Sequence, residues 1–220
     1  MTTRWASFDC YGTLIDWDSG IRAELGRMFG ELEGERLLAR YHELEPEVQR
    51  ADPSASYREV MATVLARLAD EEGSQLPRHE ADALGRSLPA WPAFAEVPGA
   101  LDDARERGWK LAILSNTDRD LIAASMAGIG VPFELAIVAS EIGSYKPARA
   151  HWDGLYERTG ADRSRHVHVA ASLYHDISPA AQIGITSIWI NRLGEDSEVP
   201  RARELTDLTG LADALDELVA

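Results

Sequence analysis

Cysteine, positive charge and long apolar runs are what this sequence has least of. One cysteine, Cys10, stands among 220 residues, which excludes an intrachain disulfide and suits the reducing cytoplasm. There are 22 basic residues against 37 acidic ones, a net charge of −15. That balance argues against nucleic acid or an anionic membrane as partner, because both recruit basic patches. No apolar run approaches the roughly 20 residues of a membrane span, and Met1-Thr2-Thr3-Arg4-Trp5 carries no signal-peptide core. The expectation is a cytoplasmic protein that handles a small molecule. If that molecule is an anion, every basic residue near the site gains weight.

What is present is a globular composition, 45% apolar and 27% charged, in a chain long enough for a large core. In the C-terminal part, short apolar strands at 109–114, 134–139, 166–171 and 186–191 alternate with helical patterns near 99–107, 119–127, 148–159 and 177–183. Residues 5–8 form one more strand that must pair with these. Residues 16–96 differ. Ile21, Leu25, Met28 and Phe29, then Leu37, Leu38, Tyr41 and Leu44, then Val60, Val64, Leu65 and Leu68 keep helical spacing. Breaks are expected at Gly34, Pro46, Pro53, Gly73 and Pro77, and the stretch from Pro89 to Gly99 reads as a non-helical return linker. The fold class is therefore α/β: a Rossmann-like parallel sheet with helices on both faces, residues 1–15 and 97–220, and an inserted all-helical domain, residues 16–96.

Ligands of open parallel sheets bind beyond the carboxyl ends of the strands. The first strand ends at Asp9, just before the Gly12 turn. The second ends at Ser115-Asn116-Thr117-Asp118, the third leads to Lys146-Pro147, and the fourth to Ser172-Leu173-Tyr174-His175-Asp176. Each tip also has a bland reading: a helix N-cap at Ser115–Asp118, a solvated Lys146, a capping Asp176, a small buried Cys10. His166 and His168 face one side of their strand, as a metal pair would, with no third ligand nearby. Taken together, the four tips aim nucleophile-type, amide and hydroxyl, cationic and acidic groups at one crevice.

In this order the residues resemble the haloacid dehalogenase superfamily over nearly the whole chain. Asp9-Cys10-Tyr11-Gly12-Thr13 matches its first motif, Ser115-Asn116 its second, Lys146-Pro147 its third and residues 168–176 its fourth. The helical insert sits where that family carries its cap domain. The superfamily is mostly phosphatases, which carry a second Asp two residues after the nucleophile and a Gly-Asp pair that helps bind Mg²⁺. This chain has Tyr11 and Ala170-Ala171 instead. Both departures resemble the type II 2-haloacid dehalogenase branch, which works without metal or other cofactor. A halide departs as a stable anion and needs no acid beside it.

The resemblance implies that Asp9 attacks the halogen-bearing carbon of a small 2-haloalkanoic acid and forms an ester. It implies that Lys146 keeps Asp9 ionised, that Thr13 fixes its rotamer, and that Asp176, with His175, activates the water that hydrolyses the ester. Tyr11, Ser115, Asn116 and Ser172 are expected at the substrate, and Arg40 with the Asn116 amide at the halide. The chain departs from the branch at His151-Trp152 and at Leu173-Tyr174-His175. His151, Trp152 and His175 are expected to shape a tighter halide pocket suited to fluoride. The same resemblance implies a homodimer. Three other readings stand: a Mg²⁺-dependent phosphatase, a hydrolase that opens the ring of a small cyclic amino acid, and a non-catalytic binder of small acids.

Overall fold

The computed structural model describes residues 3–219. Strand β1 (Arg4–Phe8) leads into helices α1 (Trp17–Phe29), α2 (Gly34–Ala51), α3 (Tyr57–Glu71) and the short α4 (Ala83–Ser87). The chain returns through α5 (Val97–Glu106), β2 (Trp109–Ser115), α6 (Arg119–Ile129), β3 (Leu135–Val138), α7 (Ala139–Ile142) and α8 (Ala150–Thr159). It ends with β4 (His166–Ala170), α9 (Ser178–Gln182), β5 (Thr186–Ile190), β6 (Arg203–Leu205) and α10 (Leu211–Leu218). All pairings are parallel, in the order β3-β2-β1-β4-β5-β6. The order reverses between β1 and β4, which opens a crevice beyond their carboxyl ends. Strands β1, β2, β4 and β5 are buried almost throughout, as a sheet covered on both faces requires.

The structure departs from the sequence reading in three places. Helix α2 runs straight through Pro46, because Leu37, Leu38, Tyr41, Leu44 and Val48 bury one continuous face on both sides of it. Helix α5 begins at Val97 with Pro98 in its first turn, where a missing N–H costs nothing, so the return linker stops short of Gly99. Strand β6 and helix α10 were not read at all. Three residues, Arg203-Glu204-Leu205, are too few and too polar to signal an edge strand.

Hydrogen bonds at the crossing point and from the core fix the helical insert over the strand tips. Where the chain leaves and returns, Asp16 N donates to Pro92 O at 2.9 Å and Phe94 N to Leu14 O at 3.0 Å. Asp118, for which capping of the following helix is the bland reading, makes no such bond to α6. Its carboxylate instead accepts from Tyr57 N at 3.0 Å and Arg58 N at 3.1 Å, capping α3 of the insert, where a negative charge also complements the helix dipole. Tyr145 adds a bond from its hydroxyl to Ala55 O at 2.9 Å.

Gly20 on α1 lies flat against the Trp91 ring, so close that a Cβ there would meet ring atoms at 2.3 to 2.5 Å. Gly20→Ala should therefore lower stability by about 1–3 kcal/mol through overpacking, against the usual gain from adding Ala to a helix. Thermal unfolding that shows an unchanged or higher Tm would contradict this packing.

Candidate active site

Three strand tips meet on one buried cation. Asp9 extends β1 by one residue, its N–H donating to Val169 O at 3.1 Å. Asp9 Oδ1 accepts from Lys146 Nζ at 2.9 Å and Oδ2 from Thr13 Oγ1 at 2.9 Å. Thr13 Oγ1 in turn accepts from Ala171 N at 2.9 Å, so one hydroxyl ties the β1 tip to the β4 tip. Lys146 spends its other two protons on Asp176 Oδ1 at 2.6 Å and Leu114 O at 2.8 Å. Its backbone is clamped by Asn116: Lys146 N donates to Asn116 Oδ1 at 2.6 Å, and Asn116 Nδ2 donates to Lys146 O at 3.0 Å.

The wide helical turn Leu173–Ile177 after β4 carries Asp176 and His175. Ser172 caps this turn, its Oγ accepting from His175 N at 3.1 Å. His168 Nε2 reaches Asp176 Oδ1 at 2.9 Å, so that oxygen has two side-chain partners. Asp176 Oδ2 and His175 Nε2 are both buried and have no hydrogen-bond partner.

Burial and charge divide the two carboxylates. Burial dominates at Asp9 and raises its pKa above the ordinary carboxylate value, although Lys146 pulls it down; the nearby Asp176 charge adds to the rise. The expectation is that Lys146 lowers the Asp9 pKa and so keeps it ionised; its pull is present, but burial outweighs it. The ammonium's pull is shared with Asp176. Burial would raise Asp176 too, but there Lys146 and His168 outweigh it and hold the carboxyl below its usual range. Burial pushes His175 down to about 4, so its imidazole is neutral near pH 7.

The cavity over these groups measures about 680 Å³. Of the residues expected there, Asp9, Tyr11, Ser115, Asn116, Lys146, Ser172, His175 and Asp176 line it. Thr13 lies just behind Asp9. Three expectations fail. Arg40 is on the solvent side of α2, held by Glu71 at 2.7 Å and Glu43 at 2.6 Å, and does not reach the cavity. His151 and Trp152 sit on α8 behind the sheet: His151 Nε2 meets Ser115 O at 3.1 Å, and Trp152 packs edge-on against His168. Neither touches the cavity, and the proposed halide pocket loses both.

The insert supplies residues that the sequence reading missed. Glu45 and Gln49 are buried and face the cavity from α2, one turn apart, with His42 beside them. Polar residues at core-facing positions of an amphipathic helix are a signal the pattern did contain. Burial pushes Glu45 up to about 7, although it accepts a hydrogen bond from Tyr57. At His42, burial opposes the charge but Asp18 at 3.1 Å outweighs it and raises the pKa. Arg192 lines the far wall, donating to Thr13 O at 2.8 Å and Glu96 at 2.7 Å.

Asp176, held low, contributes stability that is present above its unfolded-state value near 4 and is lost as pH falls through its folded value. Lys146→Met would leave two buried carboxylates without their cation. The variant should lose about 3–5 kcal/mol near pH 7, and the deficit should shrink toward pH 4 as both carboxyls protonate. Urea unfolding at the two pH values measures this; a small deficit independent of pH would contradict the arrangement. Arg40→Ala, by contrast, should leave the Tm nearly unchanged, because exposed ion pairs contribute little, and leave turnover within about twofold.

The model of the haloacid dehalogenase-like hydrolases matches residues 3–184. An (S)-2-haloacid dehalogenase of Pseudomonas sp. (strain YL) is 28% identical over 196 residues, 86% of this chain and 82% of the relative. Haloacetate dehalogenase H-2 of Moraxella sp. (strain B) is 29% identical over 192 residues, 86% of this chain and 85% of its own length. The solved structure of the L-2-haloacid dehalogenase RSc1362 superposes with a TM-score of 0.87 at 24% identity, covering 98% of this chain and all of that one, and shares its fold. With a nucleophile-type carboxylate after β1, bridged by a buried lysine from the segment after β3 to a second carboxylate after β4, the chain belongs to the haloacid dehalogenase-like hydrolase family.

Proposed function

We propose that the protein is a hydrolytic dehalogenase of small 2-haloalkanoic acids, acting through an ester on Asp9, with residues 16–96 as the cap over a core of residues 1–15 and 97–220. The observation that carries this reading is the company Asp9 keeps in the cavity. Lys146 and Thr13 hold its two oxygens, while the side chain two residues on is Tyr11, which offers no proton. Tyr11 donates or accepts one bond with Ser125 Oγ at 3.1 Å and stacks on Tyr57, and burial lifts its phenol well above the ordinary range. Without an acid there, a leaving alkoxide would go unprotonated, whereas a halide needs no proton.

Asp9 displaces the halide from the far side of the carbon, inverting it. The Ser115 and Ser172 hydroxyls line the cavity where the substrate carboxylate would be held. Asn116 Nδ2 has one N–H left over from its clamp on Lys146 O and can meet the halide in place of Arg40. Water then attacks Asp9 Cγ. Asp176 Oδ2 and His175 Nε2, buried atoms of neighbouring residues in the cavity wall that lack a hydrogen-bond partner, are suited to hold it, and Asp176 takes its proton. Asp9 is regenerated, and the 2-hydroxy acid, the halide and one proton are released. A cavity of about 680 Å³ is roomier than a two- or three-carbon acid fills, so longer 2-haloacids belong in the substrate panel beside fluoroacetate.

Halide release from 2-chloropropionate should proceed equally with and without EDTA and should be lost in Asp9→Asn, which should keep the wild-type Tm. Phosphate release from a generic ester only with Mg²⁺, and no halide release, would overturn the reading in favour of a phosphatase.

A further inference from the structure

Behind the cavity, a line of buried polar side chains leads away from Asp176 through the sheet. His168 Nε2 lies 2.9 Å from Asp176 Oδ1, and His168 Nδ1 lies 2.7 Å from Ser7 Oγ. Ser7 Oγ is also 2.7 Å from His166 Nε2, and His166 Nδ1 is 2.7 Å from the Tyr156 hydroxyl. The register explains the line. Ser7 pairs with His168 across β1 and β4, and His166, two residues earlier, projects from the same face. Helix α8 covers it, with Trp152 edge-on to His168 and, one turn later, Tyr156 edge-on to His166. Ser7, His166 and His168 are fully buried, and Tyr156 is half-buried beneath the Arg163 guanidinium. The two histidines that look like half of a metal site are spoken for by one serine.

The line has one polarity that satisfies every atom with neutral imidazoles. An ionised Asp176 only accepts, so His168 Nε2 carries the proton and its Nδ1 accepts from Ser7. Ser7 has a single proton, so its oxygen accepts from His166 Nε2, and His166 Nδ1 accepts from the Tyr156 hydroxyl. The charged or titratable groups about His168 are Asp176 and Lys146 at the strand tips, His166 on its own strand and His151 on α8. Lys146 already donates to the same Asp176 oxygen, so a second cation there would face the ammonium directly.

We propose that Tyr156, His166, Ser7 and His168 are a relay of positioning residues for the hydrolysis half of the reaction. They fix His168 as the Nε2–H donor on Asp176 Oδ1, which holds the carboxylate so that Oδ2 is presented to water. The relay rests on the dehalogenase reading for its kinetic effect, but its tautomers do not depend on it. Tyr156→Phe removes the terminal donor from a half-buried position, far from any substrate. It should slow hydrolysis of the Asp9 ester by about threefold to tenfold, the effect of one lost hydrogen bond, while the first-turnover burst of halide stays within about twofold. Ester accumulation on Asp9 after rapid quenching, read by mass spectrometry, separates the two steps, and an unchanged Tm shows that the fold is kept. Nitrogen NMR of histidine-labelled wild type near pH 8 should show His166 and His168 protonated at Nε2 and bare at Nδ1. His168 protonated at Nδ1, or Tyr156→Phe with unchanged ester hydrolysis, would overturn the relay. Should no haloacid be turned over, the dehalogenase reading falls and the tautomers alone decide the relay.

Discussion

The Lys146 ammonium between Asp9 and Asp176 is the interaction on which the rest of the site depends. Fully buried, it stands where β1, β2 and the turn after β4 come together, and each of its three protons goes to a different one of them. Two carboxylates this close could not both be charged without it. The division of its pull also separates their roles. Asp176, bonded to both Lys146 and His168, is held firmly ionised, whereas burial leaves Asp9 the more basic of the two carboxylates, as the proposed nucleophile requires. Asn116 matters here by gripping the Lys146 backbone on both sides rather than by touching substrate alone.

The helical insert turns this exposed crevice into a cavity, and it is placed by bonds from the core. Asp118 caps α3 from below, so the first residue of that helix, Tyr57, is set where its ring stacks on Tyr11 and its hydroxyl reaches Glu45. A strand tip of the core thus decides the position of an aromatic wall and of a buried acid on the opposite side. Trp17 Nε1 donates to the same Tyr57 hydroxyl at 3.2 Å, extending this wall onto α1.

Much of this was legible in the residues. Asp9, Lys146 and Asp176 could be placed together because parallel strands deliver their carboxyl ends to one edge whatever the intervening helices do. Thr13 at Asp9 is what the resemblance of the first motif implies, and its hydroxyl donates to Asp9 Oδ2. Arg40 was misplaced because, on an amphipathic helix, one residue along the chain turns a side chain by about 100°: Tyr41 is buried while Arg40 beside it faces Glu71. His151 and Trp152 follow closely on Lys146 in the chain, yet α8 carries them behind the sheet, where no spacing rule could have put them. The Ser7 relay was illegible for a different reason. The facing of His166 and His168 was clear, but the partner between them comes from another strand, and only the β1–β4 register brings it there.

The proposed reaction turns on a covalent ester on Asp9 that water opens at the Asp9 carbonyl. Single-turnover reaction of excess enzyme with 2-chloropropionate in water enriched in oxygen-18 tests it most directly, with the label located by mass spectrometry of the peptide around Asp9 and of the product. The account predicts that one solvent oxygen enters the Asp9 carboxylate and that the lactate formed is unlabelled. Label in the lactate, with none in Asp9, would contradict it and make water the direct nucleophile.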